Sequence, residues 1–477
     1  MKKGYEKLVF PLTIIAGCLV MLFWLFHNPV KDLAEEIPGL DNRPPNSGLD
    51  RDSVIIGENF SMYDSLYTSS LTGKWPNFRG ADHDNIYREK IKLIDKWPDT
   101  GPKILWEKDL GEGHAAAAIY NGRVYVLDYD ERRKADALKC YSLVEGTELW
   151  KRWYLVNVKR NHGMSRTIPA VNDKYVVTIG PHGQVMCCDA ISGKLLWGID
   201  LAREYKSTIP LWYTGQCPFI EDNVAVIAPG GTALMMGVDC ATGNVVWQTP
   251  NPDSLKMSHS SVIPMTVAGK KMYVYDALGG LVGVSAEKRD RGKLLWKTSE
   301  FSPAVIAPSP LYVGQNKIFV TAGYGAGSAL FQISGDGERF SARILQLYKP
   351  GQGVASEQQT PIYNDEVVFD IQPKDAGASR NQFVCCSPSD FRKVLWTSSK
   401  DERYGLGPYI VADNKFFILS DDGELTIARY STSGFEVLDK AKVINGQDAW
   451  GPLALADGYL VMRDSKKMVC VNLKANQ

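Results

Sequence analysis

Short apolar runs separated by turn-forming residues recur along most of this chain. In residues 184–197, an apolar run is followed by a turn containing Gly193 and by a second apolar run that ends at Trp197. A near copy ends at Trp247 and has Gly243 in its turn. Two apolar runs joined by a turn rich in Gly, Ser or Asp are typical of a β-hairpin. A hairpin that returns at a steady interval indicates a repeat architecture.

Each repeat contains four predicted strands, and in most copies the last strand ends in a tryptophan. The tryptophans of the repeats are Trp106, Trp150, Trp197, Trp247, Trp296 and Trp396. Those in consecutive repeats are 44 to 50 residues apart. Small twisted sheets repeated around an axis form a β-propeller. We therefore predict an all-β fold, an eight-bladed β-propeller of four-stranded blades, over residues 103–477.

The tryptophans have a predicted structural role at the joins between blades. Each one can reach across from the outermost strand and cover the turn glycine of the next blade. Burial of a side chain of this class contributes roughly 1.5–3 kcal/mol. We interpret these six residues as docking residues rather than as part of a reactive site.

The last repeat is one strand short at the C-terminal end of the sequence. Residues 103–107 contain the Leu105-Trp106 signature but have no hairpin before them. Pairing this strand with the last repeat completes the eighth blade and removes an open sheet edge. The sequence therefore predicts that the propeller is closed by an N-terminal strand.

The N-terminal region 1–29 is predicted to be a signal anchor or transmembrane segment. Residues 8–26 carry no charge and follow three lysines. About 20 apolar residues span a bilayer as a helix, and the basic end stays in the cytoplasm. We therefore expect a membrane-anchored protein whose bulk is extracytoplasmic, in the periplasm. A lipoprotein signal, with Cys18 as the lipidated residue, and a cleaved signal peptide stay open as alternatives.

Two segments separate this region from the repeats. Residues 30–74 show no clear period and are predicted to be a partly disordered linker. Residues 75–102 form an aromatic-rich segment that contains Trp75, Phe78 and Trp97. Aromatic clusters of this kind are unstable in water, so we expect this segment to pack against one face of the propeller.

Composition narrows the classes of function. Lys and Arg total 54 and Asp and Glu total 54, so the net charge is zero, which argues against nucleic-acid binding through bulk charge. None of the nine cysteines forms a C-x-x-C pair, which removes the usual zinc-ribbon, thioredoxin-like and haem-attachment motifs. Cys140, Cys187 and Cys386 occupy one equivalent strand position, as expected of small core residues.

The motif of residues 189–197, with its relatives at 239–247 and 291–296, resembles the tryptophan-docking repeat of the pyrroloquinoline quinone (PQQ) repeat propellers. The resemblance covers about residues 103–477. It implies one of two functions. Some members are PQQ-dependent alcohol and sugar dehydrogenases that hold the quinone and Ca²⁺ over the central channel. Others are non-catalytic scaffolds, typified by the BamB lipoprotein of outer-membrane β-barrel assembly.

Features of the dehydrogenases are hard to match in this chain. Their vicinal disulfide suggests Cys187-Cys188 or Cys385-Cys386, but each pair lies within a predicted third strand, where neighbouring side chains point to opposite faces. A Ca²⁺ site needs clustered oxygen ligands, and no Glu/Asn/Asp set matches the family residue by residue. We therefore expect no cofactor or metal, and PQQ with Ca²⁺ is the alternative.

The loops that enter the innermost strands are predicted to lie around one mouth of the channel. Polar and aromatic side chains that converge there favour a ligand or partner site. The candidates are His114, Arg166, Trp212, Gln216, His259, Glu357, Gln358, Tyr404, Asp448 and Trp450. His114 or His259 is a candidate base.

Our interpretation from the sequence is a membrane-anchored, extracytoplasmic, non-catalytic binding scaffold. Its partner would be a protein or a small molecule at the mouth. The alternative is a PQQ- and Ca²⁺-dependent dehydrogenase of alcohols or sugars. A third hypothesis is a carbohydrate or polymer binder that uses Trp212, Tyr404 and Trp450 as stacking platforms.

Overall fold

The computed structural model describes residues 6–26 and 54–475. The chain divides into an N-terminal unit, 1–50, and a second unit from 51 onward. The first contains helix α1 (Glu6–Phe26), which includes the uncharged run 8–26. Among the described residues, no helix combines the length and apolarity needed to cross a membrane. The N-terminal membrane or signal segment therefore stays a prediction from the sequence.

The second unit consists of eight antiparallel sheets of four core strands each, which confirms the eight-bladed propeller. Four strands precede the first hairpin: β1 (Asn59–Met62), β2 (Lys74–Trp75), β3 (Ile86–Tyr87) and β4 (Ile104–Asp109). Blade one contains β5 (Ala118–Tyr120), β6 (Arg123–Asp130), β7 (Ala135–Ser142) and β8 (Glu148–Leu155). Blade two contains β9 (Ala170–Val171), β10 (Tyr175–Ile179), β11 (Gln184–Asp189) and β12 (Leu195–Asp200), followed by the short helix α2 (Leu201–Glu204).

Blades three to five keep the same order of strands. Blade three contains β13 (Phe219–Glu221), β14 (Val224–Ile227), β15 (Ala233–Asp239) and β16 (Val245–Pro250). Blade four contains β17 (Ile263–Val267), β18 (Lys270–Ala277), β19 (Gly280–Ser285) and β20 (Leu294–Thr298). Blade five contains β21 (Leu311–Tyr312), β22 (Lys317–Ala322), β23 (Gly327–Gly335) and β24 (Phe340–Tyr348).

Blades six to eight complete the ring. Blade six contains β25 (Ile362–Asn364), β26 (Val367–Ile371), a 3-10 helix (Gly377–Ser379), β27 (Phe383–Cys386) and β28 (Val394–Thr397). Blade seven contains β29 (Tyr409–Ala412), β30 (Lys415–Leu419), β31 (Glu424–Arg429) and β32 (Val437–Lys442). Blade eight contains β33 (Ala454–Ala456), β34 (Tyr459–Arg463) and β35 (Lys467–Asn472), and β4 is its fourth strand.

The ring is closed by pairing between β4 and β35. The register places Trp106 opposite Cys470 and Asp109 opposite Lys467. The closure predicted from residues 103–107 is therefore confirmed. Because the partners are more than 350 residues apart in sequence, this sheet forms only when the two ends of the repeat array meet.

A line of hydrogen bonds links neighbouring blades near the axis, where the first strands of adjacent blades lie in contact. In blades two to six, the backbone N–H at the start of one first strand donates to the equivalent side chain of the next blade. These bonds run from Ile168 to Cys217 Sγ (3.2 Å), from Cys217 to Ser261 Oγ (3.0 Å), from Ser261 to Ser309 Oγ (2.9 Å) and from Ser309 to Thr360 Oγ1 (2.9 Å). Arg463 bridges blades eight and one by donating to the Ala115 carbonyl at 3.1 Å.

Four of the six repeat tryptophans lie over the turn glycine of the next blade. A Cβ built on Gly243 would lie 2.8 Å from Cγ of Trp197, so only glycine fits beneath the indole. The equivalent pairs are Trp106 with Gly146, Trp150 with Gly193, and Trp247 with Gly292. Trp296 and Trp396 cover no turn glycine; Trp396 instead packs against Phe435, with ring centroids 5.6 Å apart.

Residues 54–97, which we call the N-terminal strap, lie on the propeller. β1 pairs with β8 at the outer edge of blade one, β2 pairs with β5 at its inner edge, and β3 pairs with β29 of blade seven. Residues 54–74 of the predicted linker are thus part of the folded body, because their backbone completes open sheet edges. Residues 30–53 lie outside the described residues.

The strap closes one end of the channel. The Gly73 carbonyl accepts from the Asn121 N–H (3.2 Å), in the turn between the first and second strands of blade one. The guanidinium of Arg79 is buried and donates to the Pro361 carbonyl at 2.7 Å. The end that carries these turns is therefore the closed face, and the opposite end is the mouth face.

We predict that Gly243→Ala destabilises the propeller more than Gly269→Ala does. Both glycines have a left-handed backbone, with φ of +76° and +74°, so both substitutions carry a strain of roughly 1–2 kcal/mol. A Cβ at 269 would meet no atom within 4 Å, whereas one at 243 collides with Trp197. The collision should cost about 1–3 kcal/mol more in denaturant unfolding. Equal losses for the two variants would contradict tryptophan docking.

Candidate binding site at the channel mouth

Two sets of loops form the mouth face. One set enters the first strands, and the other joins the second strand of each blade to the third. Antiparallel strands alternate in direction, so both sets reach the same end of the channel. The site residues predicted from the sequence lie in the first set alone, whereas the side chains at the mouth come from both.

His114 and Trp450 form one side of the mouth. Their rings stack with centroids 5.0 Å apart, and the indole N–H of Trp450 donates to Asp421 Oδ1 at 2.9 Å. Burial, together with the positive charge of Arg166, lowers the pKa of His114 to about 3. His114 is therefore a neutral imidazole at physiological pH, and its Nδ1 is shielded from solvent without a hydrogen-bond partner in the described chain.

Trp212 lies between two rings on another side. It stacks on Tyr324, with ring centroids 5.9 Å apart, and lies 6.3 Å from His259. Trp212 and Tyr213 both have left-handed backbones, with φ of 61° and 74°. Such conformations cost about 1–3 kcal/mol each and persist where the surroundings hold them, often at functional sites. Burial lowers the pKa of His259 to about 3, so this imidazole is also neutral.

Glu357 and Lys374 form an ion pair near Tyr324. Lys374 Nζ lies 3.5 Å from Glu357 Oε1 and 5.5 Å from the centre of the Tyr324 ring. The Glu357 side chain is only 3% exposed, and burial raises its pKa despite the lysine. Its second oxygen, Oε2, is shielded and has no partner in the described chain.

Arg166 lies among these groups. Its charge lowers the pKa of both His114 and His259, and it also acts on Tyr213 and Tyr324. One η nitrogen donates to the His162 carbonyl, whereas Nε is shielded and has no described partner. Burial lowers the pKa of this guanidinium to about 10, where it still keeps its charge at neutral pH.

A cavity of about 460 Å³ opens beside this cluster, between blades one and eight. It is lined by Glu112, His114, Arg160, Asn161, His162, Gln447, Asp448, Ser465 and Lys466. Its lining is polar and carries charges of both signs, so it suits a polar ligand or a polar segment of a partner.

Two predicted site residues have structural roles instead. Gln216 is fully buried and exchanges hydrogen bonds with the backbone of Ala228, donating at 2.9 Å and accepting at 2.8 Å. Tyr404 is 2% exposed and packs at the edge of Phe435. Neither side chain presents a free group to the mouth, because both are buried in the interior of the propeller. Gln358 and Asp448 remain partly exposed there.

Tyr324 and Lys374 are two residues of the mouth that the sequence did not predict. Both lie in loops between second and third strands: Tyr324 follows β22, and Lys374 follows β26. The alternating direction of the strands could have predicted them. It places the loop after each second strand on the same face as the loop before each first strand. Tyr324 is 56% exposed, so its ring is open to a partner at the mouth.

Comparisons with known proteins agree with this architecture. A family model described as outer membrane protein assembly factor BamB matches residues 134–357. The repeats of this chain are similar to those of the PQQ-repeat β-propellers. No curated protein sequence matches it.

Solved structures of a BamB protein and of two dehydrogenases share its fold. BamB from Moraxella catarrhalis is 12% identical with a TM-score of 0.52, over 78% of this chain and 98% of that chain. A europium-containing methanol dehydrogenase is 10% identical, with a TM-score of 0.55 over 84% and 89%. Quinohemoprotein alcohol dehydrogenase from Comamonas testosteroni is 11% identical, with a TM-score of 0.53 over 85% and 81%. At these identities the likeness establishes the fold alone.

The described residues of this propeller's mouth include no carboxylate cluster of the kind that would hold Ca²⁺ beside PQQ. Calcium takes six to eight oxygen ligands, and the described residues contain no group of three or more His, Cys, Asp or Glu side chains placed to hold a metal ion. The rings of Trp212 and Tyr324 are too close to admit a third ring, which needs about 7 Å at ordinary contact distances.

The adjacent cysteine pairs do not resemble the vicinal disulfide of the dehydrogenases. Cys187 and Cys188 belong to different hydrophobic clusters on opposite faces of β11, and Cys385 and Cys386 do so on β27. These four cysteines are free, so neither pair is a vicinal disulfide. The alternation expected of a strand accounts for their positions.

Asp276 provides a test of burial below the mouth. Both of its carboxylate oxygens are shielded and have no described partner, and burial raises its pKa to about 8. A raised pKa in the folded state adds stability that is full below the ordinary value of 3.8 and is lost as the pH rises through about 8.

We predict that Asp276→Asn stabilises the protein relative to wild type, and that the difference grows between pH 5 and pH 8. The expected slope is on the order of 1.4 kcal/mol per pH unit, measured by denaturant unfolding at each pH. Asp401→Asn, at an exposed site, is the control and should show no such trend. A pH-independent difference for Asp276→Asn would rule out a buried neutral carboxyl.

Proposed function

We propose that this PQQ-repeat propeller is a non-catalytic binding scaffold whose partner docks at the mouth face. The observation that supports this most is the pairing of an exposed aromatic surface with unpartnered polar atoms at one end of a channel closed at the other. The strap packs across the closed face, so we expect a ligand to approach the axis from the mouth.

The protonation states of the mouth disfavour acid–base chemistry. An efficient general base has a pKa near the working pH, whereas His114 and His259 have pKa values of about 3. Glu357 has a raised pKa, but it is ion-paired with Lys374, and no nucleophile hydrogen-bonds to its free oxygen among the described residues. These groups suit recognition better than catalysis.

A photocrosslinking experiment tests the scaffold. With p-benzoylphenylalanine at Tyr324, we expect discrete covalent adducts to one protein in the native host. Leu347, at the exposed outer edge of the same blade, is the matched control and should not give that adduct. The same adducts at both positions would contradict a mouth-specific partner.

A separate measurement tests the alternative function. Saturable binding of PQQ and Ca²⁺ with substrate-dependent dye reduction would favour the dehydrogenase.

We also propose that the propeller is exported and tethered by its N-terminal segment. The support is the sequence: three lysines followed by the uncharged run 8–26. We expect the full chain in the membrane fraction, and the propeller to be digested by protease only after the outer envelope is opened. Recovery of the full chain in the cytosolic fraction would contradict this localisation.

A further inference from the structure

Arg166 is a charged group at the mouth for which the described chain provides no counter-ion. Glu112, the carboxylate whose charge acts on Arg166, is engaged elsewhere: it forms an ion pair with Arg160 at 2.7 Å and accepts from the Gly163 N–H at 3.1 Å. No ion pair to Arg166 occurs within residues 54–475. A shielded charge without a partner is costly, so it is normally paired or hydrogen-bonded.

Arg463 shows how this chain satisfies a guanidinium that has only a structural role. Its side chain is fully buried, and it donates to the carbonyls of Asp464, Ala115, Gly111 and Ser465 at 2.8 to 3.1 Å. Arg166 donates to a single carbonyl, and its Nε–H is unused. The contrast indicates that the donors of Arg166 are kept for a group outside the chain.

The surroundings of Arg166 define the charge and shape of that group. The two nearby imidazoles are neutral, and Lys374 is compensated by Glu357, so the cluster of these residues carries one net positive charge. A guanidinium edge with two N–H groups matches a planar carboxylate. The adjacent rings of Trp212 and Tyr324 supply an apolar wall for the rest of the ligand.

We propose that the mouth binds a carboxylate through Arg166, with an aromatic or apolar group of the same ligand against Trp212 and Tyr324. This inference rests on the proposed scaffold function and specifies the chemistry of its partner. Two classes of ligand carry such a carboxylate: a peptide, at its C terminus, and a small aryl carboxylic acid.

The first test compares acids with their amides on the unmodified full chain in detergent. The probes are N-acetyl-Ala-Ala-Phe and 3-phenylpropionate, each as free carboxylate and as amide, titrated by calorimetry up to about 10 mM. We expect at least one acid to bind at least about tenfold more tightly than its amide, since a charge-assisted pair is lost in the amide. Binding of the peptide acid alone identifies a C terminus, and binding of both acids identifies the wider class.

The second test removes the guanidinium. Arg166→Gln should abolish the preference for acid over amide, and Arg166→Lys should retain part of it. Arg132→Gln is the matched control, because Arg132 is an exposed arginine in a loop of the same face. Melting curves show whether each variant is folded, and the comparison of acid with amide on the wild type needs no variant.

Two results would overturn the proposal: equal affinities for acid and amide, or no saturable binding of any probe. If crosslinking from position 324 still identifies one partner, the scaffold stands and only the carboxylate chemistry is wrong. If that adduct is also absent, the proposed function fails as well.

Discussion

Closure of the ring between β4 and β35 is the interaction on which the remaining structure depends. Its partners come from opposite ends of the repeat array, so the eighth blade forms only once seven others stand between them. Every first strand then takes a fixed place around the axis. The hydrogen bonds from Ile168 through Thr360, and those of Arg463, connect the blades at this radius.

Closure also gives the two ends of the channel different roles. The strap supplies β2 and β3 to the inner edges of blades one and seven, and it buries Arg79 against the Pro361 carbonyl. With that end occupied by the chain itself, groups at the other end are the ones available to a partner. The asymmetry therefore comes from residues outside the repeat.

Burial decides the electrostatics at the mouth. His114 and His259 are held neutral by the low polarity around them and by the charge of Arg166. Glu357 is matched by Lys374, while Arg166 has no acidic partner of its own in the described chain. The likeness to BamB and to a quinohemoprotein alcohol dehydrogenase is a likeness of fold. Function depends on the particular side chains that the fold carries at its site.

The sequence by itself determined the eight repeats, the closing strand and four of the docking tryptophans. These features follow from alternation, turn glycines and spacing, which are local properties of the chain. Trp296 and Trp396 departed from the rule because the turn of the following blade lacks a glycine in position to be covered. Only the tertiary structure decided which polar residues meet at the mouth. Gln216 and Tyr404 are buried, whereas Tyr324 and Lys374 join Arg166 from loops far along the chain, because contacts across the axis depend on closure of the ring and not on distance in sequence.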